Sequence, residues 1–527
     1  MDYPIAPPRF KTGEELGNII KSQCVGKDGV KLKSRDFVDS ILSFCLDELY
    51  DERIGIVYGL RATGKTVGML QAAERLIAQG HKVAFVRYNF EESGMLDANF
   101  EITKLAGEGY THFFLDEAVY LGGFLKNCDS WPDMYAPQYR VKIVITGDDS
   151  FLLWLAREKT LYGRYVAFST NCSNCHEFKR VLGKGYTDYK SQGGLFLEVE
   201  NESALELFPG NPNASIEKFI EDAIVGNLAR TLEQCNEDFF GNYYFDLLYA
   251  IEAPVLYKGV VSILKLAAEE GIRRSFIRDA SKIQDFDAII GNWPVPDMAR
   301  LVEETGILQN RIKIGSFESS RDALIAYMVR VECLIESRSG VSDKAAMQKT
   351  LYFAQPALMS YAIAEAKRAI MEMAGVGKID PASFSESLDQ AADSALSENV
   401  VYAHLLLFAD RQDVTFRYQD KEGREIDAVV INRNEKTLRL IEVRSQSRID
   451  AARVFENEAR CLYDGEALKN IAAPDDFSIT RIIAHAGENE LVSHEKGELF
   501  LLNIEKLLCR IKDLELFLSE VRGLEKS

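Results

Sequence analysis

The residues best suited to chemistry form a glycine-rich stretch in the N-terminal part of the chain. The pattern G-x-x-x-x-G-K-[ST] is matched in full by Gly59, Leu60, Arg61, Ala62, Thr63, Gly64, Lys65 and Thr66. Glycines in this pattern allow backbone N–H groups to converge on phosphate oxygens, and Lys65 would reach the β- and γ-phosphates of a nucleotide. The Thr66 hydroxyl would bind Mg²⁺. We therefore expect residues 59–66, the phosphate loop, to bind ATP, with Mg²⁺ as the metal and Lys65 also acting in catalysis.

A pair of carboxylates, Asp116 and Glu117, is the second candidate element of this site. The pair ends an apolar run that begins at Phe113. A phosphate loop requires an acidic partner for the metal, and Asp116 is predicted to hold Mg²⁺ together with Thr66. Glu117 is predicted to be the general base that polarises the attacking water. The alternative is an ordinary polar end of a strand.

Two later segments are candidates to complete the site. The segment 141–147 is a predicted strand whose polar tip could contact the γ-phosphate or the water. Asp148 and Asp149 follow it, and two carboxylates there would repel a phosphate unless a cation compensates. Arg164 is a candidate catalytic residue, because an arginine stabilises the charge of a transferred phosphoryl group. A solvated surface arginine is the alternative interpretation.

These candidates need a fold that brings them to one place. Four short apolar runs predict buried strands at 54–59, 82–88, 112–115 and 141–146. Apolar residues from Val67 to Leu76 have helical spacing, and Gly80 ends that predicted helix. Strands that alternate with helices indicate a parallel sheet with helices on its faces.

The pattern changes after about residue 200. Helical segments are predicted at 204–232 and 244–270, and a strand-like run at 351–359 precedes a helix that ends near Met373. The small, polar stretch Gly375–Asp393 is interpreted as a linker. The last part returns to an α/β pattern, with a predicted helix at 397–409 and predicted strands at 414–418, 425–432 and 438–443.

Landmarks along most of the chain give it a family resemblance. They are the phosphate loop, Leu115-Asp116-Glu117, Ile145–Gly147, Leu161–Arg164, Glu177-Phe178, and Lys349–Phe353 with Pro356 and Leu358. In these features the chain resembles uncharacterised bacterial and archaeal AAA-type P-loop ATPases that carry a C-terminal domain of unknown function with a restriction-endonuclease-like fold. The resemblance implies a winged-helix domain at about 257–375. It also implies that Arg164 could act in a neighbouring subunit, as an arginine often does in AAA-type proteins.

Four residues of the C-terminal part form a candidate degenerate nuclease site. Nucleases of the PD-(D/E)XK type hold Mg²⁺ with an acid followed by acid-x-lysine on the adjacent strand. The corresponding residues here are Asp427, Glu442 and Arg444, and Glu398 on the predicted helix 397–409 is a further acid of the candidate site. Arginine stays protonated and is a poor substitute for lysine in proton transfer, although it can bind phosphate. Three interpretations stay open: an inactive nuclease-like domain, a weak or altered nuclease, and an unrelated α/β domain in which Arg444 pairs with Glu442 or Asp427.

One cysteine motif has the spelling of a c-type haem attachment site, Cys172-Ser173-Asn174-Cys175-His176. The N-terminal segment shows no export signal, and no second Cys/His pair follows at zinc-site spacing, so we interpret the motif as a loop without a cofactor. The nine cysteines are expected to be reduced thiols of a cytoplasmic protein. No apolar run approaches the length of a transmembrane helix, so no membrane contact is expected.

Composition limits the partners. The chain has 527 residues with 62 basic and 81 acidic side chains, a net charge of −19. This length predicts three or four domains. The negative excess argues against a general grip on nucleic acid, whose phosphates favour basic proteins, but it does not exclude a local basic groove.

We therefore predict an α/β multidomain fold in four parts. They are an AAA-type P-loop ATPase core with a parallel sheet at 1–200, a helical lid at 201–256, a winged-helix-like domain at 257–385 and a nuclease-like domain at 386–527. The predicted function is ATP binding with Mg²⁺-dependent hydrolysis, used as a conformational switch. The alternatives are an ATP-dependent DNA-binding or DNA-processing protein and a nucleotide-binding scaffold with negligible turnover. Expected partners are ATP and ADP, DNA through the middle domain, and a protein partner or a second copy of the chain.

Overall fold

The computed structural model describes most of the chain. The described residues are 9–26, 29–61, 63–88, 95–124, 128–147, 153, 156, 161–170, 172–194, 212–234, 248, 251–279, 317–338, 340–341, 349–374, 381–409, 412–419, 425–444, 451–463, 476–495 and 497–524. Within these segments, no helix is both long enough and apolar enough to cross a membrane.

The N-terminal part is built around a five-stranded sheet. Its strands are β1 (Ile54–Tyr58), β2 (Val83–Arg87), β3 (His112–Asp116), β4 (Lys142–Thr146) and β5 (Tyr165–Ser169), in the spatial order β2-β3-β4-β1-β5. Each neighbouring pair is parallel, so the carboxyl ends of all five strands lie at one edge. The four predicted strands are confirmed, and β5 is an additional strand that the sequence pattern does not predict.

Helices cover both faces of this sheet. They are α1 (Gly13–Gln23), α2 (Asp36–Leu46), α3 (Lys65–Ala78), α4 (Met95–Gly107), α5 (Ser130–Tyr139), α6 (Cys175–Leu182) and α7 (Tyr186–Gln192). Phe113 and Leu115 of β3 lie in one apolar cluster, and Phe114 lies in another that α1, α2 and α3 complete. Because successive residues of a strand face opposite sides, burial on both faces explains the unbroken apolar runs in the sequence.

A glycine allows α2 to pack closely against α3. A Cβ atom added at Gly68 of α3 would lie 2.3 Å from the ring of Phe37 in α2. Only a residue without a side chain permits this approach. The contact holds the start of α2 close to the phosphate loop, which lies between β1 and α3.

The middle part is largely helical. α8 (Pro212–Phe219) continues through a π-helical turn (Ile220–Val225) into α9 (Gly226–Gln234), and α10 (Ala253–Asp279) and α11 (Phe317–Arg330) follow. The helices predicted at 204–232 and 244–270 are confirmed at 212–232 and 253–270. Residues 248, 251 and 252 are not helical, and the rest of both segments lies outside the described residues.

An antiparallel pair of strands follows, β6 (Leu334–Arg338) and β8 (Lys349–Phe353), with the short β7 (Gly340–Val341) between them in sequence. The predicted strand at 351–359 is wrong beyond β8, because α12 (Pro356–Ala374) begins there. Proline suits the first turn of a helix, where its missing N–H costs nothing. The winged-helix arrangement of this part stays a prediction.

The predicted linker is wrong from Pro381 onward, where α13 (Pro381–Phe408) begins. Phe384, Leu388 and Ala391 are buried at spacings of four and three residues. This helical period is obscured in the sequence by the small polar residues between them. The helix predicted after the linker is the second half of α13, and the predicted start of the C-terminal domain lies inside this helix.

The C-terminal part contains a seven-stranded mixed sheet. Its elements are β9 (Asp413–Gln419), β10 (Glu425–Asn432), β11 (Thr437–Arg444), α14 (Ala451–Tyr463), β12 (Ser478–His485), β13 (Glu490–His494), β14 (Gly497–Asn503), α15 (Ile504–Cys509) and α16 (Leu514–Leu524). The spatial order is β13-β14-β12-β11-β10-β9-β7. Strands β9, β10 and β11 pair antiparallel, whereas β11, β12 and β14 pair parallel. The three predicted strands of this part are confirmed.

One apolar cluster extends through all of these parts. Its members include Ile54 of β1, Leu264 of α10, Tyr352 of β8, Val400 of α13 and Phe500 of β14. The N-terminal sheet, the middle helices and the C-terminal sheet therefore share a continuous core.

Candidate functional site

The phosphate loop adopts a turn between β1 and α3 that leads directly into the helix. Gly64 precedes α3 with φ 82°, a left-handed conformation that glycine adopts without strain. The side chain of Lys65 is buried. Its Nζ donates hydrogen bonds to the carbonyl oxygens of Gly59 (2.9 Å) and Leu60 (3.0 Å). The ammonium group is thus held inside the loop, in reach of phosphate oxygens bound there.

The other residues in the middle of the phosphate loop are Arg61, Ala62 and Thr63. Arg61 is partly exposed and Thr63 is buried. The Thr63 hydroxyl donates to the carbonyl oxygen of Leu60 (2.8 Å), which closes the turn. Ala62 lies outside the described residues.

Asp116 lies at the end of β3 and is fully buried. The Thr66 hydroxyl donates to its carboxylate, with Oγ1 2.9 Å from Oδ2 and 3.2 Å from Oδ1. Arg87, at the end of the neighbouring β2, places Nε 3.5 Å from the same Oδ2. Hydroxyl and carboxylate oxygens are ligands that Mg²⁺ prefers, so Thr66 and Asp116 fit the predicted metal.

Glu117 follows β3 directly and is also buried. Its φ of 57° lies in the left-handed region, which residues other than glycine seldom adopt. Backbone strain of this kind persists where the surrounding structure imposes it and is concentrated at functional sites. Because it follows β3, Glu117 lies at the same edge of the sheet as the phosphate loop, where a base for the attacking water would be needed.

The tip of β4 adjoins the loop. Thr146 is buried, and its hydroxyl donates to the carbonyl oxygen of Val57 in β1 (2.7 Å). This bond joins the ends of β4 and β1 beside the phosphate loop. Asp148 and Asp149 lie outside the described residues, so the effect of their charges on a phosphate stays a prediction.

Arg164 lies at the opposite edge of the sheet. Its carbonyl oxygen accepts a hydrogen bond from the N–H of Ile54 (3.2 Å) at the beginning of β1, whereas the loop follows the end of that strand. Five strand residues separate the two places by about 16 Å at about 3.3 Å per residue. The Arg164 guanidinium is paired with Asp133 (2.5 Å). Arg164 therefore cannot contact phosphates bound at its own loop.

Glu332 is a residue near the loop that no pattern in the sequence predicts. It follows α11 with φ 57°. Tyr58, which immediately precedes the loop, donates its hydroxyl hydrogen to Glu332 Oε1 (2.7 Å), and the Ser169 hydroxyl at the end of β5 donates to Oε2. These partners are 274 and 163 residues away along the chain, so no local pattern marks the contact. A carboxylate of the middle part thus adjoins the edge at which ATP is predicted to bind.

The predicted nuclease-like residues come together around an arginine from the middle part. Arg278 of α10 places Nη1 3.3 Å from Glu398 Oε2 and 3.2 Å from Asp427 Oδ1. Its Nη2 donates to the Ser394 hydroxyl (2.8 Å), and Asp427 Oδ2 accepts from the N–H of Val443 (2.8 Å). A guanidinium therefore bridges two carboxylates of the predicted nuclease-like site. No local sequence pattern predicts this role of Arg278, because its partners are 120 and 149 residues away.

A second arginine adds to this acidic cluster. Arg417 Nη1 lies 3.0 Å from Glu398 Oε1, and Arg417 Nη2 lies 2.5 Å from Glu425. Burial alone would raise the pKa of Glu398, but the charges of Arg417, Arg278 and Arg274 together outweigh it and hold the pKa below its usual value. Glu398 is consequently a buried carboxylate kept ionised by arginines.

Glu442 and Arg444 share a face of β11, as the alternation of a strand predicts, and pair with each other (2.5 Å). The second oxygen of Glu442, Oε1, is buried without a hydrogen-bond partner among the described residues. Burial raises the pKa of Glu442, and the charge of Arg444 only partly opposes this. Arg444 thus serves as a counter-ion to a buried acid.

Glu458 of α14 is a fully buried acid close to Glu442. Arg481 Nε lies 3.0 Å from Glu458 Oε2, but the two groups are not aligned for a hydrogen bond. Burial, reinforced by the charge of Glu442, raises the pKa of Glu458 to about 8. The sequence shows only one more acidic residue in an amphipathic helix, so this group is not predicted.

The haem-like motif joins α6 to α13. Asn174 caps α6 by accepting a hydrogen bond from the N–H of Glu177 (2.7 Å). Cys175 is the first residue of that helix, and its N–H donates to His404 Nε2 (3.2 Å). The prediction of a loop is therefore wrong from Cys175 onward, because a capped helix begins there.

Comparisons with known proteins agree with the geometry of the phosphate loop. Residues 51–179 match the family model of the AAA domain. This segment contains the phosphate loop, Asp116 and Glu117. The match supports an AAA-type P-loop ATPase that binds and hydrolyses nucleotide. No curated protein matches the chain.

Two solved structures are distantly similar. The structure of C. elegans PCH-2 has 13% identity over 63% of this chain and 75% of that chain, with a TM-score of 0.22. The structure of Drosophila ORC bound to DNA has 11% identity over 64% of this chain and 94% of that chain, with a TM-score of 0.19. TM-scores this low support no inference about fold or function.

The bridging role of Arg278 predicts a large loss of stability on its removal. Arg278→Ala leaves Glu398 and Asp427 without their shared counter-ion, and we expect a loss of about 3–5 kcal/mol in the free energy of unfolding measured with urea. The control is Arg460→Ala, which removes an exposed pair with Glu456 and should cost less than about 1 kcal/mol. Equal losses for the two variants would contradict the bridging role.

The raised pKa of Glu458 predicts a pH dependence. Between the usual glutamate pKa of 4.5 and the folded value of about 8, the folded protein binds a proton that the unfolded chain releases, so stability falls as the pH rises through this window. Glu458→Gln cannot ionise and should exceed the wild type in stability at about pH 8, with the difference becoming small at about pH 4, below the pKa of the unfolded chain. Urea unfolding at both pH values measures this. Glu456→Gln, an exposed change on the same helix, is the control, and an advantage of Glu458→Gln that is independent of pH would refute the assignment.

Proposed function

We propose that this protein binds ATP with Mg²⁺, hydrolyses it slowly and uses the nucleotide state as a conformational switch. The observation that carries the proposal is the convergence of Lys65, Thr66 and Asp116 at the carboxyl edge of the parallel sheet. The match of residues 51–179 to the AAA domain supports the same activity.

Each side chain has a distinct part in the proposed reaction. Lys65 exchanges its hydrogen bonds to loop carbonyl oxygens for stronger ones to the β- and γ-phosphates. Thr66 and Asp116 would hold Mg²⁺, which would neutralise charge on the phosphates. Glu117 accepts a proton from the water as the water oxygen bonds to the γ-phosphorus; the bond from that phosphorus to the β–γ bridging oxygen breaks, and ADP and phosphate leave.

The switch would reach the middle part through Glu332. Tyr58 connects this carboxylate to the residue before the phosphate loop, and Ser169 connects it to the end of β5. The added charge of a γ-phosphate at this edge repels the carboxylate more strongly than the charge of ADP does. We therefore expect the Glu332 contact to loosen in the ATP state and to re-form after hydrolysis.

The C-terminal part has no cleavage step in this proposal. Glu398 and Asp427 are already bridged by Arg278, Glu398 is also paired with Arg417, and Glu442 is paired with Arg444. These pairs suit a structural or partner-binding module. Several expectations from the sequence stay predictions. They are contact with DNA through the middle part, a cytoplasmic location, and the alternative roles in DNA processing or as a scaffold.

The roles of Glu117 and Lys65 can be separated by substitution. Glu117→Gln should bind ATP but lose at least about 100-fold in turnover, because the base is missing. Lys65→Ala should lose ATP binding. Calorimetry measures ATP binding, and phosphate release measures turnover. Hydrogen exchange at residues 328–336 should be faster in Glu117→Gln with ATP bound than in the same variant with ADP bound. A wild type that turns over no faster than Glu117→Gln would favour the scaffold, and a wild type that binds no ATP would refute the proposal.

The position of Arg164 predicts that it acts on ATP bound to a second copy of the chain. It lies at the edge away from its own loop, partly exposed beside Tyr162, which is 79% exposed. Arg164→Ala should lower turnover by about 10³-fold, as expected for an arginine supplied between subunits. Mixing it with Glu117→Gln should restore activity, because the second variant supplies Arg164 to a site with an intact base.

Asp133→Ala is the matched control for this test. It removes the partner of Arg164 within the chain and leaves the arginine in place, so turnover should be retained. The turnover of the wild type per molecule should rise with protein concentration, because assembly brings Arg164 of one copy to the ATP bound by another. A mixture of the two inactive variants that stays inactive would contradict action between subunits.

A further inference from the structure

Arg35 is a buried arginine that joins three distant segments at the phosphate loop. It immediately precedes α2 and is 8% exposed. Its Nη1 donates to the carbonyl oxygens of Thr63 (2.7 Å) and Thr170 (2.7 Å). Thr63 belongs to the loop, and Thr170 follows β5.

The other nitrogens of Arg35 bind a buried carboxylate. Nε lies 3.1 Å from Glu177 Oε1, and Nη2 lies 3.0 Å from Oε2, which is the paired geometry in which arginine binds a carboxylate most strongly. Glu177 Oε1 also accepts from the N–H of Asp36 (2.7 Å). The capping bond from the N–H of Glu177 to Asn174 (2.7 Å) fixes the carboxylate at the start of α6. The guanidinium is thus anchored on a rigid element.

We define the loop clamp as Arg35, Glu177, Thr63 and Thr170. The hydroxyl groups of its two threonines form a second contact with the loop. Thr63 Oγ1 and Thr170 Oγ1 lie 2.6 Å apart. The Arg35 side chain also lies beside the loop, because a Cβ atom added at Gly64 would be 3.8 Å from Arg35 Cδ. Both the carbonyl and the side chain of Thr63 are therefore held from outside the loop.

This clamp determines which way one peptide group of the loop points. A trans peptide is planar, so its C=O and N–H point in opposite directions. Because the C=O of Thr63 is held toward Arg35, the N–H of Gly64 must point away from Arg35. Phosphate loops bind phosphate through such N–H groups.

We propose that Arg35 is a positioning residue of the phosphate loop, holding the peptide between Thr63 and Gly64 so that its N–H faces the phosphates. The inference rests on the proposed ATP binding and deepens it. Arginine is needed because one planar fork serves two carbonyl oxygens and both oxygens of Glu177 at once. Lysine, a single ammonium, cannot match that geometry.

The test compares Arg35→Gln and Arg35→Lys with a matched buried arginine far from the loop. Arg439→Gln is the control, because Arg439 is equally buried and pairs with Asp413 (3.1 Å) and Glu515 (2.9 Å) in the C-terminal part. Calorimetry with Mg²⁺ and ATP measures the affinity, and hydrogen exchange without nucleotide measures protection of the loop amides. All measurements are made at a temperature at which circular dichroism shows each variant folded.

We expect Arg35→Gln to weaken ATP binding by about tenfold or more, the scale of a lost hydrogen bond to a charged group. Exchange at residues 63–65 should be faster, and Arg35→Lys should be intermediate in both measurements. Arg439→Gln should lower the melting temperature without either effect. A KM for ATP that rises while kcat changes little would accompany the loss, because the bound loop can still reach the reactive geometry.

Two results would overturn the inference. One is ATP affinity and loop exchange in Arg35→Gln that equal those of Arg439→Gln. The other is loop exchange unchanged from wild type in both Arg35 variants. If the wild type binds no ATP, the proposed function fails, and the exchange measurement alone still decides whether Arg35 holds the loop.

Discussion

The direction of the strands in the five-stranded sheet is the constraint on which the site depends. Because β3, β4 and β1 are parallel neighbours, the segments that follow them emerge at one edge. Asp116, Thr146 and the phosphate loop meet there only for that reason. The same constraint sends Arg164, which precedes a strand, to the far edge. One geometric cause therefore explains both the groups that converge and the arginine that does not.

What the sequence predicts well is what is encoded within a few residues. The phosphate loop, the strand that ends at Asp116 and the placement of Glu442 and Arg444 on one face of a strand depend on local sequence patterns. Arg278 and Glu332 depend on contacts between residues far apart in the chain, and neither carries a local signal. The error at Pro381 has a different origin, since small polar residues are compatible with either a linker or a helix until packing selects one.

The acidic cluster of the C-terminal part shows how buried charge is accommodated. Removing carboxylates from water is costly, and the cost is offset only by counter-ions with well-placed hydrogen bonds. Glu398 obtains such partners in Arg278 and Arg417, and its pKa falls. Glu458 has one arginine close by, which does not outweigh burial and the charge of Glu442, and its pKa rises. The pKa values of buried acids in one fold thus shift in opposite directions, according to how strongly arginine charges oppose the effect of burial.

The apolar cluster that runs from β1 to the C-terminal sheet has a mechanical consequence. Parts that share a packed core cannot move as rigid bodies about flexible hinges, because packed side chains resist separation and transmit strain. Motion in such a protein takes the form of shear, in which helices slide over one another by small amounts. A structural change at the phosphate loop would then displace the packed elements together, as far as the C-terminal sheet.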